Sequence, residues 1–154
     1  MAKVMQVALW EPEIPPNTGN IARLCAATGS KLHLIGRLGF RIDDRELKRA
    51  GLDYWRYVEM HHHLTFADFE AVVGPERIVC IETSVERIYT QAVYQTGDCL
   101  LFGNESHGLP ATVRQRYAQR TYGIPMPGGK VRSLNLATSA GIVLFEALRQ
   151  LHGW

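Results

Sequence analysis

The sequence is poor in cysteine and has no long apolar run. Its three cysteines, Cys25, Cys80 and Cys99, are odd in number and far apart in the chain. This pattern is typical of reduced core thiols and disfavours both a disulfide framework and a zinc site. The apolar runs are shorter than the roughly 18 residues that a membrane helix needs, and the mixed N-terminal run is too short for a signal peptide. We expect a soluble, cytoplasmic protein that binds no metal and no membrane.

An excess of charge of one sign is also missing. Lysine and arginine number 17 against 15 aspartates and glutamates, which gives a net charge of +2. Such a chain is not a polycation, so a nucleic-acid surface requires local clusters of basic residues. Hydrophobic residues make up 46% of the chain and charged residues 21%, which argues against long disorder. A chain of this length is sufficient for one domain, and we expect a single domain over residues 1–154.

Short apolar runs alternate along the chain with helical patterns. The predicted strands cover residues 4–9, 31–36, 77–82, 98–102 and 121–124. The predicted helices begin at Asn17 or Thr18, at Asp43, at Thr65, at Pro110 and at Ser133, the first ending at Gly29 and the last near Gln150. Strands that alternate with helices predict an α/β domain with a mainly parallel sheet flanked by helices.

Three loops follow predicted strands and are rich in glycine, proline, asparagine and serine. They cover residues 15–23, 103–110 and 124–135. Ligands bind open parallel sheets at the carboxyl ends of the strands, where such loops allow close approach of backbone amides. Taken singly, each loop is also explained as a tight turn.

Other motifs fail on inspection. The stretch Gly128–Lys130 lacks the remaining residues of a phosphate-binding loop, and the sequence around Ser106 lacks the glycine that a nucleophile elbow requires. A dinucleotide-binding glycine motif does not follow the first strand. In extended chain, His61–His63 point to alternating faces and cannot all reach one ion, so we interpret them as a solvated turn.

Four basic residues fall near one another if residues 43–50 are helical. They are Arg41, Arg45, Lys48 and Arg49. Spacings of three and four place side chains on one face of a helix. Such a face is ordinarily only solvated, and contact with RNA is the alternative.

The three loops together resemble the three motifs of the SPOUT RNA methyltransferases. They read EPEIPPNTGNIARLC at residues 11–25, LFGNESHGLP at residues 101–110, and IPM through RSLNL at residues 124–136. The stretch AGLDY at residues 50–54 resembles the single-domain members that methylate the ribose 2′-oxygen of the wobble pyrimidine nucleotide in tRNA. The resemblance covers nearly the whole chain in order.

The resemblance implies a fold, a cofactor and an assembly. The C-terminal half is expected to form a trefoil knot in which S-adenosylmethionine binds. By position, Ile81, Gly103, Ile124 and Ser133 border the cofactor. Members are homodimers whose active sites use both subunits, so we expect pairing through the first and last helices.

The resemblance also implies which side chains act. Arg23 matches the arginine that the family uses near the ribose, and its guanidinium is too basic to act as a simple base. The other expected catalytic residues are Asn20, Glu105, Ser133 and Asn135. The expected RNA contacts are Asn17, Arg23, Arg41, Lys48 and Arg56, with helix capping an alternative for both Asn17 and Asn20.

Two positions depart from the family pattern. Asn104 stands where proline is frequent, and His107 stands where arginine is common. The predicted activity is S-adenosylmethionine-dependent 2′-O-methylation of the wobble nucleotide in tRNA. The alternatives are 2′-O-methylation of another RNA such as ribosomal RNA, and a noncatalytic RNA-binding role.

Overall fold

In the part of the chain that the structure describes, six parallel strands form one sheet. The computed structural model describes residues 2–154 and, for residues 51–53, the backbone alone. The strands are β1 (Gln6–Trp10), β2 (Lys31–Ile35), β3 (Met60–His63), β4 (Ile78–Ile81), β5 (Cys99–Phe102) and β6 (Thr121–Tyr122). Their order in the sheet is β3-β2-β1-β5-β4-β6, and every neighbouring pair is parallel. The predicted α/β class with a parallel sheet is therefore confirmed, while the trefoil knot stays a prediction.

Five α-helices accompany the sheet in the described part of the chain. They are α1 (Pro15–Thr28), α2 (Arg45–Gly51), α3 (Phe66–Val73), α4 (Ala111–Arg116) and α5 (Leu136–His152), with a 3-10 segment at Leu52–Tyr57 directly after α2. Among the described residues, none of these helices is both long enough and apolar enough to span a bilayer.

The strands alternate their side chains between two hydrophobic cores. Val7 and Leu9 of β1 join one core with residues of α1 and α5, whereas Ala8 joins the other core with residues of α3 and α4. Because both faces of the sheet are covered, its strands are nearly continuous apolar runs, as is usual in parallel sheets. The sheet is thereby fixed from both sides, and its carboxyl edge is left for the loops.

Helix α1 begins earlier than predicted. Pro15 and Pro16 occupy its first positions, where proline is preorganised and its missing N–H is no loss, and Ile14 precedes them without a side-chain cap. The prediction that Asn17 or Thr18 caps this helix is wrong. The predicted end at Gly29 is confirmed, since Gly29 has φ of 68° and its N–H donates to the Cys25 carbonyl.

Two other helix starts are also shifted. Helix α2 begins after Asp44, whose carboxylate accepts hydrogen bonds from the N–H groups of Glu46 and Leu47, so the predicted start at Asp43 is wrong. Helix α5 begins at Leu136 rather than Ser133, because the Asn135 side chain caps it by accepting from the Thr138 N–H. The start predicted at Thr65 is confirmed, with its side chain accepting from the Asp68 N–H.

Strand β3 was missed, and the interpretation of His61–His63 as a solvated turn is wrong. These residues belong to the edge strand, and His33 Nδ1 lies 2.9 Å from His63 Nε2. His33 Nε2 lies 2.7 Å from Gln6 Oε1, which only accepts, so His33 Nε2 is protonated and its Nδ1 accepts from His63. Burial and the neighbouring imidazoles lower the pKa of His33 to about 4.

Candidate active site

A cavity of about 540 Å³ lies at the carboxyl edge of the sheet. It is bordered by residues that directly follow β4 and β5, by the start of α1, and by the segment that leads from β6 into α5. Seven of the residues predicted from the sequence line it: Asn17, Ile81, Gly103, Glu105, Ile124, Ser133 and Asn135. The fold therefore brings the three sequence motifs around one space.

The wall at Gly103 depends on the absence of a side chain. A Cβ added there would lie 2.4 Å from the carbonyl carbon of Gly108, because the backbone of the 103–108 loop doubles back on itself. Paired hydrogen bonds between Asn104 and Gly108, of 3.1 and 2.9 Å, close this loop. The backbone of the loop consequently lines the cavity directly.

The Glu105 carboxylate fixes the start of α1. Its oxygens accept hydrogen bonds from the N–H groups of Glu13 and Ile14, each at 2.9 Å, and from the Asn17 amide at 3.3 Å. An acceptor with negative charge stabilises these N–H groups, which have no partner within the helix. The second motif thus holds the first in place.

Asn17 connects this arrangement to the third motif. Its side-chain oxygen accepts a hydrogen bond of 3.0 Å from the Asn135 amide, and Asn17 is 7% exposed. Asn135 in turn caps α5. One buried amide therefore joins Glu105 on one side to Asn135 on the other, and the three motifs form a single hydrogen-bonded unit.

Asn104, one of the departures from the family pattern, stabilises the turn after β1. Its amide donates to the Glu11 carbonyl at 2.5 Å, and its Oδ1 accepts from the N–H groups of Ser106 and His107. Glu11 has a φ of 41°, which is unusual for a residue with a side chain. Asn104 therefore supports both its own loop and the strained turn.

Sequence reasoning missed several charged residues of the cavity. Glu82 follows the last residue of β4, and its Oε1 accepts a hydrogen bond of 2.6 Å from the Leu109 N–H. Arg114 and Arg132 also line the cavity. The position directly after a buried strand is the signal that points to Glu82, whereas Arg114 on α4 comes close only through the packing of that helix.

The other predicted residues lie outside the cavity. Arg23 and Asn20 are exposed on α1, where the Asn20 amide donates to the Pro16 carbonyl at 2.9 Å. The Arg23 guanidinium lies 5.4 Å from the centre of the Tyr54 ring. Six positions along a helix correspond to about 9 Å of rise and roughly 240° of rotation, so Arg23 lies on a different face of α1 from Asn17.

The predicted RNA contacts Arg41, Lys48 and Arg56 are all exposed. The Arg41 side chain pairs with Asp43 at 3.1 Å, and the Arg56 guanidinium lies 4.9 Å from the centre of the Tyr57 ring. Arg23, Lys48 and Arg56 form a basic surface on α1, α2 and the segment after α2, which pack against one another, whereas Arg41 lies in the loop before α2. The structure thus separates the candidate residues into a cavity group and a surface group.

The thiols take no part in either group. Cys25, Cys80 and Cys99 are free and buried, which confirms the prediction of reduced core cysteines. Burial raises the pKa of both Cys25 and Cys80 to about 12, so neither is a reactive thiolate. Across residues 2–154, the described side chains contain no group of three His, Cys, Asp or Glu placed to hold a metal ion.

Known proteins resemble this chain over nearly its whole length. A tRNA (cytidine(34)-2′-O)-methyltransferase from Escherichia coli strain K12 is 42% identical over 149 residues, which cover 96% of this chain and 94% of the relative. A solved structure, described as structural insights into the 2-OH methylation of C/U34 on tRNA, has a TM-score of 0.91 and 45% identity and covers 99% of both chains.

A more distant structure adds a ligand. An rRNA methyltransferase from Sinorhizobium meliloti with bound AdoMet has a TM-score of 0.85 and 29% identity, and the match covers 97% of this chain and 57% of that one. The model of the SpoU rRNA methylase family matches residues 4–145. Because this match takes in all three motifs that meet around the cavity, the chain belongs to the SpoU rRNA methylase family.

Proposed function

We propose that this chain transfers a methyl group from S-adenosylmethionine to the ribose 2′-oxygen of the wobble pyrimidine nucleotide in tRNA. The observation that carries the proposal is the cavity in which Asn17 hydrogen-bonds both Glu105 and Asn135. The names of the E. coli relative and the solved structure support the same reaction and the same nucleotide. We also propose that residues 1–154 act as one domain in the cytoplasm, with the C-terminal half knotted.

The cavity suits the cofactor of the family. Its volume of about 540 Å³ is within the usual range for small-molecule sites. Ile81, Gly103, Ile124 and Ser133 would hold the cofactor, largely by backbone groups, and the loop at Gly103 leaves those groups unshielded by a side chain. When bound, S-adenosylmethionine supplies a methyl carbon attached to a positively charged sulfur.

The protein has to position the ribose and stabilise charge on its oxygen. A direct displacement requires the attacking oxygen, the methyl carbon and the leaving sulfur to be aligned, and holding that geometry lowers the barrier. Arg23 is proposed to stabilise negative charge that develops on the 2′-oxygen, or to hold the adjoining phosphate that accepts the proton. Asn20, Glu105, Ser133 and Asn135 are proposed to orient the ribose or the groups that touch it.

We further propose that the active enzyme is a homodimer. Arg23 lies on a different face of α1 from the cavity residue Asn17, so a second copy that contacts α1 is a way to bring an arginine to the cavity. Apolar residues remain exposed near α1 and α5, namely Ile14, Phe145 and Trp154, at 45%, 46% and 65%. Burying them against a second copy would stabilise the pair.

Subunit mixing tests this arrangement. Arg23→Ala and Gly103→Val proteins are each expected to be inactive. If the arginine of one copy serves the cavity of the other, random mixing restores roughly a quarter of wild-type turnover, because half of the dimers are mixed and each has one complete site. Mixtures that stay inactive, with exchange of subunits demonstrated, contradict an arginine supplied by the second copy.

The reaction itself is tested with a labelled methyl group. Purified protein is incubated with labelled S-adenosylmethionine and unmodified total tRNA, and the digested RNA is examined by nucleoside mass spectrometry. Label in a 2′-O-methylated pyrimidine nucleoside is the expected result. Absence of label, with folding and cofactor binding verified, would overturn the proposal.

Ribosomal RNA is the second candidate substrate. The family to which the chain belongs is named for rRNA, and the Sinorhizobium meliloti structure is an rRNA methyltransferase. Running the same assay with ribosomal RNA beside tRNA distinguishes the two. Label in ribosomal RNA alone would replace the tRNA proposal, whereas label in neither RNA, with RNA binding intact, would favour a noncatalytic RNA-binding protein.

A further inference from the structure

Each of two tyrosines on the basic surface has an arginine over one face of its ring. The Arg23 guanidinium lies 5.4 Å from the centre of the Tyr54 ring, and the Arg56 guanidinium lies 4.9 Å from the centre of the Tyr57 ring. Both distances are within the range of cation–π contacts. We call these four residues the stacking surface.

The tyrosines are not needed to bury the segment that carries them. Tyr57 is 62% exposed and Tyr54 is 39% exposed. In contrast, Trp55 and Val58 from the same segment pack against the hydrophobic core. Because Trp55 and Val58 already anchor the segment, the two rings contribute little to the core and remain available to a partner.

The charges around the stacking surface select the type of partner. Arg45, Lys48 and Arg49 on the adjoining helix α2 are all exposed. Cations interleaved with exposed aromatic rings are typical of proteins that bind single-stranded nucleic acid, where bases stack on rings and guanidinium planes while phosphates contact the charges. A paired RNA stem offers phosphates but has no unstacked base.

We propose that Tyr54 and Tyr57, held face-on by Arg23 and Arg56, stack against unpaired bases of the anticodon loop next to the nucleotide that is methylated. This inference rests on the proposed function for the identity of the RNA. In this inference the tyrosines contact bases, whereas the lysines and arginines contact phosphates.

The position of Arg23 links the stacking surface to the reaction. Arg23 is the residue proposed to act at the ribose, and its guanidinium is also the one beside Tyr54. A base stacked at Tyr54 therefore lies next to the group that must meet the neighbouring ribose or phosphate. Such stacking orients the loop and reduces the freedom that the reacting nucleotide would otherwise have.

Leucine and phenylalanine variants test the stacking. Tyr57→Leu and Tyr54→Leu remove the aromatic face and keep an apolar side chain, whereas Tyr57→Phe and Tyr54→Phe keep the ring. Stacking on an aromatic side chain is worth about 1–3 kcal/mol per base, so each leucine variant should weaken binding of a dye-labelled anticodon stem-loop by roughly 5- to 150-fold. The phenylalanine variants should bind like the wild type.

The kinetics provide a second measurement. In steady-state methylation of tRNA, Tyr57→Leu should raise KM by a similar factor and change kcat little, because Tyr57 does not line the cavity and pairs with Arg56 rather than Arg23. Lys3→Gln is the matched control, since Lys3 is exposed and precedes β1, at the opposite edge of the sheet from the cavity. Thermal unfolding verifies that each variant is folded.

Abasic RNA makes the test specific for a base. A stem-loop that lacks the base next to the methylated nucleotide should bind wild-type protein more weakly, and the tyrosine-to-leucine change should then cause no further loss. A fully paired stem should bind all variants alike. Equal binding of the normal loop by the wild type and both leucine variants would overturn the inference. So would a leucine variant that weakens binding of stem-loops lacking the base on either side of the methylated nucleotide as much as it weakens binding of the normal loop.

The outcomes also separate this inference from the proposed function. If the wild type binds the loop in a base-dependent way that requires the tyrosines but transfers no methyl group, the stacking surface stands and the proposed function fails. If the wild type methylates tRNA and both leucine variants retain its KM and affinity, the stacking surface is wrong and the proposed function stands.

Discussion

The cavity and the stacking surface are organised in opposite ways. In the cavity, polar side chains bond to one another and to backbone groups: Glu105 has three donors from the start of α1, and Asn17 bridges it to Asn135. On the stacking surface, Arg23 and Tyr57 are exposed, and each takes part in a ring-to-guanidinium pair. A site that is fixed in the free protein suits a small cofactor, whereas an exposed surface suits a large RNA that orders it on binding.

Because the two regions differ in this way, mutations in the cavity and mutations on the stacking surface should have different effects. Changes in the cavity should alter cofactor binding first, and changes on the surface should alter RNA binding or transfer while cofactor binding persists. The following predictions run from the largest expected effect to the smallest.

Arg23→Ala should lower methyl transfer by about 100- to 1,000-fold, the usual cost of losing one group that stabilises developing charge. Affinity for S-adenosylmethionine, measured by calorimetry, should be unchanged, because Arg23 is proposed to contact the RNA rather than the cofactor. Arg23→Lys keeps the charge without the planar fork and should retain part of the activity. Loss of cofactor affinity together with turnover would place Arg23 with the cavity instead.

Acid should destabilise the protein through the histidines of β2 and β3. The pKa of His33 is lowered to about 4 from an ordinary 6.5 and that of His63 is also lowered, so the unfolded chain binds more protons between these pH values. Stability is thus fully present above pH 6.5 and is lost as pH falls toward 4. For His33 alone the loss is about 3 kcal/mol.

Urea unfolding at a series of pH values measures this loss. His33→Gln removes the titrating group and can still hydrogen-bond, so its stability should fall less steeply between pH 6.5 and 4 than that of the wild type. Parallel curves for the two proteins over this range would show that His33 does not cause the acid sensitivity.

Gly103→Ala should weaken cofactor binding by about tenfold or more, because overpacking of this kind costs about 1–3 kcal/mol. The added Cβ would lie 2.4 Å from a Gly108 backbone atom, so the loop must move. Gly128→Ala is the matched control, since a Cβ there meets no atom within 4 Å. Binding of the anticodon stem-loop should survive both changes. Equal cofactor affinity in the two variants would mean that the loop tolerates the shift.

Asn17→Ala should lower the free energy of unfolding by about 1–2 kcal/mol, because it removes the amide that joins Glu105 to Asn135. Cofactor affinity should fall severalfold. For stability, Asn20→Ala is the comparison: its amide bonds only the Pro16 carbonyl of its own helix on an exposed face, and its loss should change stability by less than about 0.5 kcal/mol. Equal losses of stability in the two variants would show that the hydrogen bonds of buried Asn17 contribute no more than that of exposed Asn20.

The local features of the fold could be predicted from the sequence. Apolar runs bounded by turn residues marked five of the strands, and Gly29 and Thr65 marked helix boundaries. Strand β3 escaped because its histidines carry no hydrophobic signal. The burial of His63 is supported by its hydrogen bond to His33 of β2, which in turn bonds Gln6 of β1. The start of α1 was misplaced because Asn17 looks like a cap, whereas its amide is engaged by side chains from other loops.

The sequence predicted which residues belong to the candidate site, but not how the fold arranges them. The motifs gave Asn17, Glu105 and Asn135, yet Asn17 lies 88 and 118 positions from those two partners, and only the folded sheet brings them within hydrogen-bond distance. In the same way, spacing alone does not tell that Arg23 is directed away from the cavity and toward Tyr54. The resemblance to the family identifies the candidate residues, and their packing shows which of them line the cavity and which lie on the exposed basic surface.

The most direct test of the central claim uses a tRNA with one changed sugar. A tRNA carrying a 2′-deoxyribose at nucleotide 34, the position named for the solved relative, is compared with the same tRNA carrying the natural ribose. The proposed function predicts methyl transfer to the natural tRNA, none to the deoxy form, and competitive binding of the deoxy form with similar affinity. Equal transfer to both would contradict methylation of the wobble ribose and place the methyl group elsewhere on the RNA.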